Sequence, residues 1–164
     1  MLKFREITLH DEKEIERLST FASEINQDYY EPIIGPKQVA YHLEKFLSVE
    51  AMKNQLNDGY EYFVLENEGV LLGFFAFFPR KDVLYLSKFY THKDYRGQGY
   101  GRRMLEFIKE QAKQKGFSSI ELNVNRFNPT TAIYEHFGFR KIRAEQIDIG
   151  AGFIMDDFVY RLDF

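Results

Sequence analysis

The sequence has no cysteine, and this absence excludes several kinds of chemistry together. Without thiols the chain forms no disulfides, binds no metal through thiolates and has no cysteine nucleophile. Histidine is scarce as well: the 4 histidines are scattered, and none has the H-x-x-x-H spacing of a metal-binding helix. We therefore expect no metal site, and the lack of cysteine is compatible with a cytoplasmic location.

Long apolar runs and an excess of positive charge are also missing. The longest apolar run, Val70 to Phe78, is far shorter than the roughly 20 residues that a helix needs to cross a bilayer. Met1 to Glu6 carries no apolar signal-peptide region. The formal net charge is −3, whereas nucleic-acid-binding proteins usually carry a basic surface. We therefore expect neither a membrane nor a nucleic acid as a partner.

The residues that are present predict a single folded domain over residues 1–164. With 45% hydrophobic and 29% charged residues, the chain has enough apolar side chains for one core. Periodicity and turn residues predict the order β-α-α-β-β-β-α-β-α-β-β. The predicted strands are Phe4–Thr8, Glu61–Glu66, Val70–Phe78, Val83–Thr91, Ile120–Val124, Lys141–Ile149 and Phe153–Leu162. This order predicts an α/β fold with a mixed, mostly antiparallel sheet and helices on both faces.

The helices are predicted from the spacing of apolar residues and from their flanking residues. The first should begin near Thr8 and carry an apolar face as far as Ile25. Gln27 to Pro36 is predicted to be a loop, because glycine, proline and polar residues interrupt the periodicity there. A second helix should break at Ser48. Before the last helix, Asn128 is expected to be the N-cap and Pro129 the first helical residue.

The most informative stretch is a strand, a glycine-rich turn and a helix in succession. The strand Val83–Thr91 is followed by Arg96-Gly97-Gln98-Gly99-Tyr100-Gly101, and then by apolar residues three and four positions apart. Glycines before a helix let the backbone approach a ligand and leave the first helical N–H groups free for anionic oxygens. Because arginines 96, 102 and 103 add positive charge, we interpret this turn as a phosphate or pyrophosphate site.

Three glycine motifs compete for this turn, beside the alternative of an ordinary helix start. A Walker A loop would need Gly-Lys-Ser/Thr, which is absent, and a Rossmann fingerprint would need G-x-G-x-x-G, whereas this turn is G-x-G-x-G. The third motif is R-x-x-G-x-G, formed by Arg96, Gly99 and Gly101. It resembles the acetyl-CoA loop of the GNAT superfamily of N-acetyltransferases. The segment from Asn128 to Phe139, with Ala132, Tyr134 and Gly138-Phe139, also resembles the segment after strand five in that superfamily.

The resemblance implies acetyl-CoA as the co-substrate and assigns roles residue by residue. Phe89, Tyr90 and Thr91 would offer backbone groups to the pantetheine arm and the thioester oxygen. The pyrophosphate would be held by the continuous segment Arg96, Gly97, Gln98, Gly99, Tyr100, Gly101 and Arg102. Asn128 would contact the CoA arm, although the short spacing from Ala132 to Tyr134 leaves Asn125 as an alternative. Tyr134 would contact the cofactor and act as the general acid that protonates the departing sulfur.

The general base is not assigned by the resemblance. Many family members carry a glutamate on the strand before the loop, where this chain has Ser87 and Lys88. The alternatives are Glu121, a carboxylate of the Tyr29-Tyr30-Glu31 segment, His92 or an ordered water. With no cysteine available, direct transfer is favoured over an acyl-enzyme.

The acceptor is expected to be a small primary amine, with a polyamine as one alternative. Its pocket should lie between the Gln27–Gly35 segment and the final hairpin, because carboxylates beside aromatic rings suit a cation. The first segment contributes Tyr29, Tyr30 and Glu31. The hairpin contributes Asp148, Phe153, Asp156 and Asp157. These acids could equally be solvated loop residues.

Two other functions and the oligomeric state stay open. Since Ser87 and Lys88 replace the usual acid, the chain could be a non-catalytic acyl-CoA sensor that kept the loop. A nucleotide-binding domain fits the glycines poorly. The last strand, ending at Phe164, could pair across a homodimer interface.

Overall fold

Seven strands form one mixed sheet in the structure, a computed structural model that describes residues 1–129 and 131–164. The strands are β1 (Leu2–Ile7), β2 (Glu61–Asn67), β3 (Val70–Arg80), β4 (Val83–Thr91), β5 (Ser119–Asn125), β6 (Arg140–Gly150) and β7 (Phe153–Asp163). Their order in the sheet is β1-β2-β3-β4-β5-β7-β6. β4 and β5 run parallel, whereas β1 with β2, β5 with β7 and β6 with β7 are antiparallel. The predicted mixed sheet and order of strands are confirmed, with three α-helices before β2 where two were predicted.

Five α-helices connect these strands in the described residues. They are α1 (Glu12–Ile34), α2 (Pro36–His42), α3 (Val49–Asn57), α4 (Tyr100–Gln114) and α5 (Thr131–Phe137). A π-helical turn, Leu43–Leu47, separates α2 from α3, and the Ser48 hydroxyl accepts a hydrogen bond from the Ala51 N–H at 3.1 Å. The predicted break at Ser48 is therefore a helix cap. In the described ranges no helix is long and apolar enough to cross a bilayer.

The predicted loop from Gln27 to Pro36 is wrong, because α1 continues through Ile34. Pro32 lies in the last turn of the helix, so its missing N–H removes a single backbone hydrogen bond. Asn26 is buried, and its amide donates to the carbonyl of Ala22 at 2.8 Å, so it does not interrupt the helix. The helix ends at Gly35, whose φ of +85° lies in the left-handed region. Tertiary burial has outweighed the local turn composition.

The start of α5 also differs from the prediction. Pro129 was expected at the first helical position, but the helix begins at Thr131. The preceding residues form a turn instead: the side-chain oxygen of Asn125 accepts from the Phe127 N–H at 2.9 Å, and the Asn128 N–H donates to the Asn125 carbonyl at 3.0 Å. Asn125 therefore organises this turn, by the Asx geometry that asparagine favours. Thr130 lies outside the described residues.

The chain packs as two compact units, each with its own buried side chains. The first consists of Met1–Ala76 and Lys88–Tyr100, and the second of Phe77–Ser87 and Gly101–Phe164. The core of the first unit joins the apolar face of α1 with inward side chains of the early strands. Its fully buried members include Ile15, Leu18, Tyr62, Phe74 and Ala76. In the second unit the buried residues of α4 are Met104, Leu105, Ile108 and Ala112, as the helical spacing predicted.

We expect Phe74→Ala to destabilise the protein by about 3–5 kcal/mol, because it leaves a cavity in a well-packed core. Phe74 is 0% exposed and contacts the rings of Phe21 and Tyr90. Val70→Ala on the same strand is the control, since Val70 is 48% exposed and should change the stability by less than about 0.5 kcal/mol. Urea unfolding measures both. Equal losses for the two variants would contradict the assignment of the core.

Candidate active site

The glycine-rich turn adopts backbone geometry that requires glycine. Gly97 has φ +77° and Gly99 has φ +83°, in the left-handed region where other residues are strained. A Cβ built at either position would meet nothing within 4 Å, so the constraint is conformational and the backbone surface is open. α4 begins directly after this turn, at Tyr100, and has no acidic residue in its first turn. The first helical N–H groups and the exposed Arg102 and Arg103 therefore form a basic helix start suited to an anion.

Arg96 is held at the entrance to this turn. Its Nε donates to the carbonyl of Thr91, the last residue of β4, at 3.1 Å. Its guanidinium lies 4.8 Å from the centre of the Tyr29 ring. Between Thr91 and Arg96, His92 caps a short 3₁₀ turn (Lys93–Tyr95) by accepting from the Asp94 N–H at 3.2 Å. The turn and the strand end are thus connected by hydrogen bonds.

The end of α1 packs against the same strand end. Tyr29 contacts Tyr30 edge to face at 5.0 Å, and Tyr30 contacts Tyr90 of β4 at 6.3 Å. Asp28 forms an ion pair with Lys93 at 3.2 Å. The structure therefore brings two residues predicted for the acceptor, Tyr29 and Tyr30, beside Tyr90 and Arg96, which were predicted for the cofactor. Glu31 is exposed on the same helix.

Lys88 is a buried amine that sequence reasoning treated only as a missing glutamate. Its side chain is almost fully buried, and Nζ donates to the side-chain oxygen of Gln55 at 2.9 Å. The rings of Tyr60 and Tyr62 lie 5.3 Å and 5.4 Å from Nζ. Burial lowers the pKa of Lys88 to about 7. On α2, burial and the charge of Lys88 lower the pKa of His42 to about 4.

In the second unit, Tyr134 and Asn128 are both buried near the end of β5. Tyr134 lies on α5, with its ring packed edge to face against Phe139 at 5.8 Å and tilted against Tyr160 at 6.3 Å. Asn128 is 6% exposed. The side-chain oxygen of Asn125 is engaged in the turn by its hydrogen bond from the Phe127 N–H. These contacts fix the ring of Tyr134 without assigning its role.

Two residues considered as a general base have structural partners. Glu121 accepts from Arg161 at 2.9 Å and lies 3.8 Å from Arg143. His92 stacks on Phe21 at 5.7 Å in addition to capping the turn. Both side chains are therefore engaged in contacts that hold neighbouring elements together. Neither residue has the surroundings expected for a base.

A polar network that the sequence did not reveal spans β4, β5, β6 and β7 in the second unit. The hydroxyl of Tyr85 donates to the side-chain oxygen of Asn123 at 2.8 Å. The amide nitrogen of Asn123 donates to Glu145 and to Asp157, both at 3.3 Å. The strand register explains the grouping, since Asp157 pairs with Asn125 on one side and with Glu145 on the other. Alternation of polar residues along β5 is the one signal in the sequence, and it does not identify the partners.

The three ionisable groups of this network have different surroundings. Burial raises the pKa of Tyr85 to about 12, so its hydroxyl stays a donor at neutral pH. Hydrogen bonding from Arg143 holds the pKa of Glu145 below its ordinary value. Burial raises the pKa of Asp157 to about 6, and the charges of Glu145 and Asp156 act in the same direction. Asp157 therefore titrates close to the physiological range.

The other acids predicted for the acceptor pocket are engaged elsewhere. Asp148 accepts from the Gly150 N–H at 2.8 Å and shapes the turn of the final hairpin. Asp156 is paired with Arg126 at 3.0 Å. Over the described residues, no group of three or more histidine, aspartate or glutamate side chains is arranged to hold a metal ion.

Comparison with known proteins identifies the family to which this chain belongs. A family model described as an acetyltransferase (GNAT) domain matches residues 21–155, which is most of the chain. The chain therefore belongs to the GNAT acetyltransferase family, and the predicted family is confirmed. It is 33% identical over 89 residues to the uncharacterized N-acetyltransferase YjgM of Escherichia coli. That match covers 51% of this chain and 53% of YjgM, so it spans about half of either protein.

Solved structures confirm the fold. The PaiA N-acetyltransferase of Thermoplasma acidophilum, in complex with coenzyme A, has a TM-score of 0.80 at 18% identity, covering 100% of this chain and 99% of that one. A probable acetyltransferase from Staphylococcus epidermidis has a TM-score of 0.76 at 16% identity and covers 99% of both chains. At these identities the similarity concerns the fold, and the chemistry must be argued from the residues.

We expect Lys88→Met to stabilise the protein more at low pH than at high pH. An unfolded lysine has a pKa near 10.4, so the folded state, with a pKa of about 7, binds fewer protons between these values. The stability of the native protein therefore rises with pH through this window, and burying the charged amine is most unfavourable below pH 7. The melting-temperature difference between variant and native protein should grow by at least about 3 °C from pH 9 to pH 6.

Lys93→Met is the matched control for this experiment. Lys93 is exposed, so its ammonium stays in water in the folded and the unfolded states. The melting-temperature difference between Lys93→Met and the native protein should therefore be nearly constant across the same pH range. If the melting-temperature difference of Lys88→Met were as constant with pH as that of Lys93→Met, the lowered pKa of the buried Lys88 amine would be refuted.

Proposed function

We propose that this protein is an N-acetyltransferase that moves an acetyl group from acetyl-CoA directly to a primary amine of a small molecule, as one domain. The observation that carries the proposal is the turn at Gly97 and Gly99, with its left-handed backbone opening onto the basic start of α4. Membership of the GNAT family supports the same activity.

The residues at this turn fit the pyrophosphate of acetyl-CoA. No atom lies within 4 Å of a Cβ at Gly97 or Gly99, so phosphate oxygens can approach the backbone. The segment from Arg96 to Arg102 would hold the pyrophosphate, and Phe89, Tyr90, Thr91 and Asn128 would hold the pantetheine arm. The PaiA structure, which contains coenzyme A, supports an acyl-CoA site in this fold.

The reaction requires proton movements that this chain's own residues can supply. Acetyl-CoA provides the activated thioester. Backbone N–H groups at the end of β4 would polarise its carbonyl, and Tyr134 would give a proton to the departing sulfur. Since the chain has no cysteine, the amine attacks the thioester directly.

The acceptor in this proposal is a cationic primary amine, and a polyamine is the first substrate to test. The aromatic rings of Tyr29 and Tyr30 at the end of α1, together with Glu31, offer the surfaces that attract an alkylammonium. A cytoplasmic location is part of the proposal, since a chain without cysteine is suited to a reducing compartment. The predicted pairing of the last strand across a homodimer interface is wrong, because β7 is paired with β5 on one side and with β6 on the other. A homodimer would need a different surface.

Thiol release from acetyl-CoA tests the activity. Polyamines, amino acids, aminoglycosides and a lysine peptide would be offered in turn. Because the protein has no cysteine, a thiol reagent detects only the CoA product. Release with cationic amines supports the proposal, whereas faster turnover of neutral or anionic acceptors would contradict the acceptor class.

A second candidate function is a non-catalytic acyl-CoA sensor. The observation that favours it is the replacement of the usual acid on β4 by Ser87 and the buried Lys88. Binding of CoA without thiol release from any amine would favour this alternative.

We expect Gly99→Ala to weaken CoA binding by about five- to tenfold. An alanine at φ +83° carries roughly 1 kcal/mol or more of backbone strain, so the turn would relax to another shape. Gly59→Ala is the matched control, since Gly59 has φ +101° and is also free of contacts within 4 Å of a Cβ. Gly59 lies in the turn before β2, so the Gly59→Ala variant should lose similar stability and keep the CoA affinity of the native protein. Calorimetric titration with CoA measures the affinity of both variants. Equal affinities would refute the pyrophosphate site at the glycine turn.

We expect Tyr134→Phe to lower turnover by about 100-fold or more while leaving CoA affinity nearly unchanged, because the variant lacks only the proton donor. Tyr160→Phe is the control, since it removes the hydroxyl that donates to Glu135 at 3.1 Å and retains the neighbouring ring. Steady-state kinetics and CoA titration separate the two effects. Unchanged turnover in Tyr134→Phe would rule out its role as general acid.

A further inference from the structure

Asp157 differs from the other acids near it on the sheet because none of the described residues gives it a cationic partner. Glu121 is paired with Arg161, Glu145 with Arg143 at 2.7 Å, and Asp156 with Arg126. In the described part of the chain, no lysine or arginine forms an ion pair with Asp157. The residue is 2% exposed, and its carboxylate accepts a hydrogen bond from the neutral amide of Asn123.

A buried carboxylate without a counter-charge destabilises a fold unless something else compensates it. Removing a charge from water is unfavourable by several kcal/mol, and a single neutral hydrogen bond at 3.3 Å restores only part of that. An arginine or lysine could be expected here if the role were structural. The arrangement instead leaves a negative charge available to a cation that is not part of the chain.

The surrounding network orients this carboxylate. Asn123 is fixed by the Tyr85 hydroxyl at its oxygen, so its amide hydrogens point toward Glu145 and Asp157. The guanidinium of Arg80 lies 3.6 Å from the centre of the Tyr85 ring and holds that ring in place. The charged and titratable groups around Asp157 are therefore Glu145 on β6, Asp156 on β7 and Tyr85 on β4, with Arg80 and Arg143 beyond them.

The position of Asp157 on the sheet is also informative. It pairs with Asn125, the last residue of β5, and the turn containing the buried Asn128 follows directly, leading to α5 and Tyr134. Asp157 is thus at the end of β5 that leads to α5. Its side chain lies on the sheet face of Asn123, and Tyr134 packs against Tyr160 on the opposite face.

We propose that Asp157 binds the ammonium group of the acceptor and takes its proton, an inference that rests on the proposed acetyltransferase function. It names the general base that the sequence did not assign. A carboxylate in dry surroundings is a stronger proton acceptor than an ordinary aspartate, and its pKa of about 6 leaves it ionised at neutral pH.

The protons balance in this reaction. The ammonium gives one proton to the Asp157 carboxylate, which passes it to solvent after turnover. The lone pair of the resulting neutral amine forms the C–N bond, and the C–S bond breaks. The departing sulfur gains a proton from Tyr134, and the second proton lost by the nitrogen returns to the Tyr134 oxygen. The products are therefore an amide, free CoA thiol and the one proton that Asp157 released to solvent.

The test compares Asp157→Asn with the native protein in three measurements. The kcat/KM of the native enzyme with spermidine should fall as the pH drops below about 6, because the carboxylate becomes protonated. Asp157→Asn should lower kcat/KM by about 100-fold or more and abolish this acid limb. Spermidine binding, measured by calorimetry with CoA present, should weaken at least about tenfold.

Thermal unfolding at pH 8 distinguishes the proposed role of Asp157 from a purely structural one. Because Asp157→Asn removes a buried uncompensated charge, it should raise the melting temperature, whereas loss of a stabilising ion pair would lower it. Asp163→Asn on the same strand is the matched control. Asp163 is half-exposed and paired with Arg140 and Arg161 at 2.9 Å, so its variant should keep native kinetics and melt at or slightly below the native temperature.

The outcomes separate this inference from the proposed function. If the native protein acetylates amines and Asp157→Asn keeps both its rate and its acid limb, the inference alone is overturned. If the native protein turns over no amine yet binds spermidine through Asp157, the enzyme proposal fails and the cation site stands. If neither turnover nor amine binding is found, both are overturned.

Discussion

Burial of the central strands is the constraint on which the rest of the structure depends. Phe74, Phe75, Ala76 and Phe77 of β3 are all 0% exposed, so this strand lies in the dry interior of the sheet. The strand next to it, β4, consequently starts with buried leucines and valine before it reaches polar residues. Any polar group on such a strand is removed from water, and its hydrogen bonds and protonation state change accordingly.

Two ionisable groups show the consequence, one in each unit. Lys88 and Asp157 have opposite charges, yet burial shifts both toward their neutral forms at accessible pH, to pKa values of about 7 and about 6. Lys88 is surrounded by Gln55 and two tyrosine rings, which are neutral partners. Asp157 is held by a neutral amide. A buried carboxylate whose charge is not compensated reduces stability, so Asp157 marks a position with a role other than folding.

The glycine-rich turn proposed to bind the cofactor depends on local backbone shape and on distant contacts together. Gly97 and Gly99 give the turn its shape, but its position is set by contacts that come from far away in the sequence. The end of α1 supplies Asp28, Tyr29 and Tyr30 to the end of β4 and to Lys93 and Arg96. Helix α1 can do this only because it extends through Pro32 to Ile34. The helical continuation that the sequence did not predict is therefore what positions these aromatic residues.

The sequence by itself determined the order of the strands, the mixed sheet, the glycine turn and the family, because each depends on local periodicity or on a contiguous motif. Left-handed glycines and an amphipathic helix are properties of neighbouring residues, and they can be recognised without knowing what packs on them. The length of α1 and the start of α5 were not determined in this way. There, burial of Asn26 and the side-chain turn of Asn125 outweighed the local preferences of proline and asparagine.

Only the tertiary structure decided which polar residues meet. Tyr85, Asn123, Glu145 and Asp157 come from four strands, and their grouping follows from strand order and register, which alternation along one strand does not specify. The sequence could name Asp157 among the acids of the final hairpin but could not separate it from Asp148 and Asp156. The separation arises from burial and from which arginine is within reach, and both are properties of the folded chain.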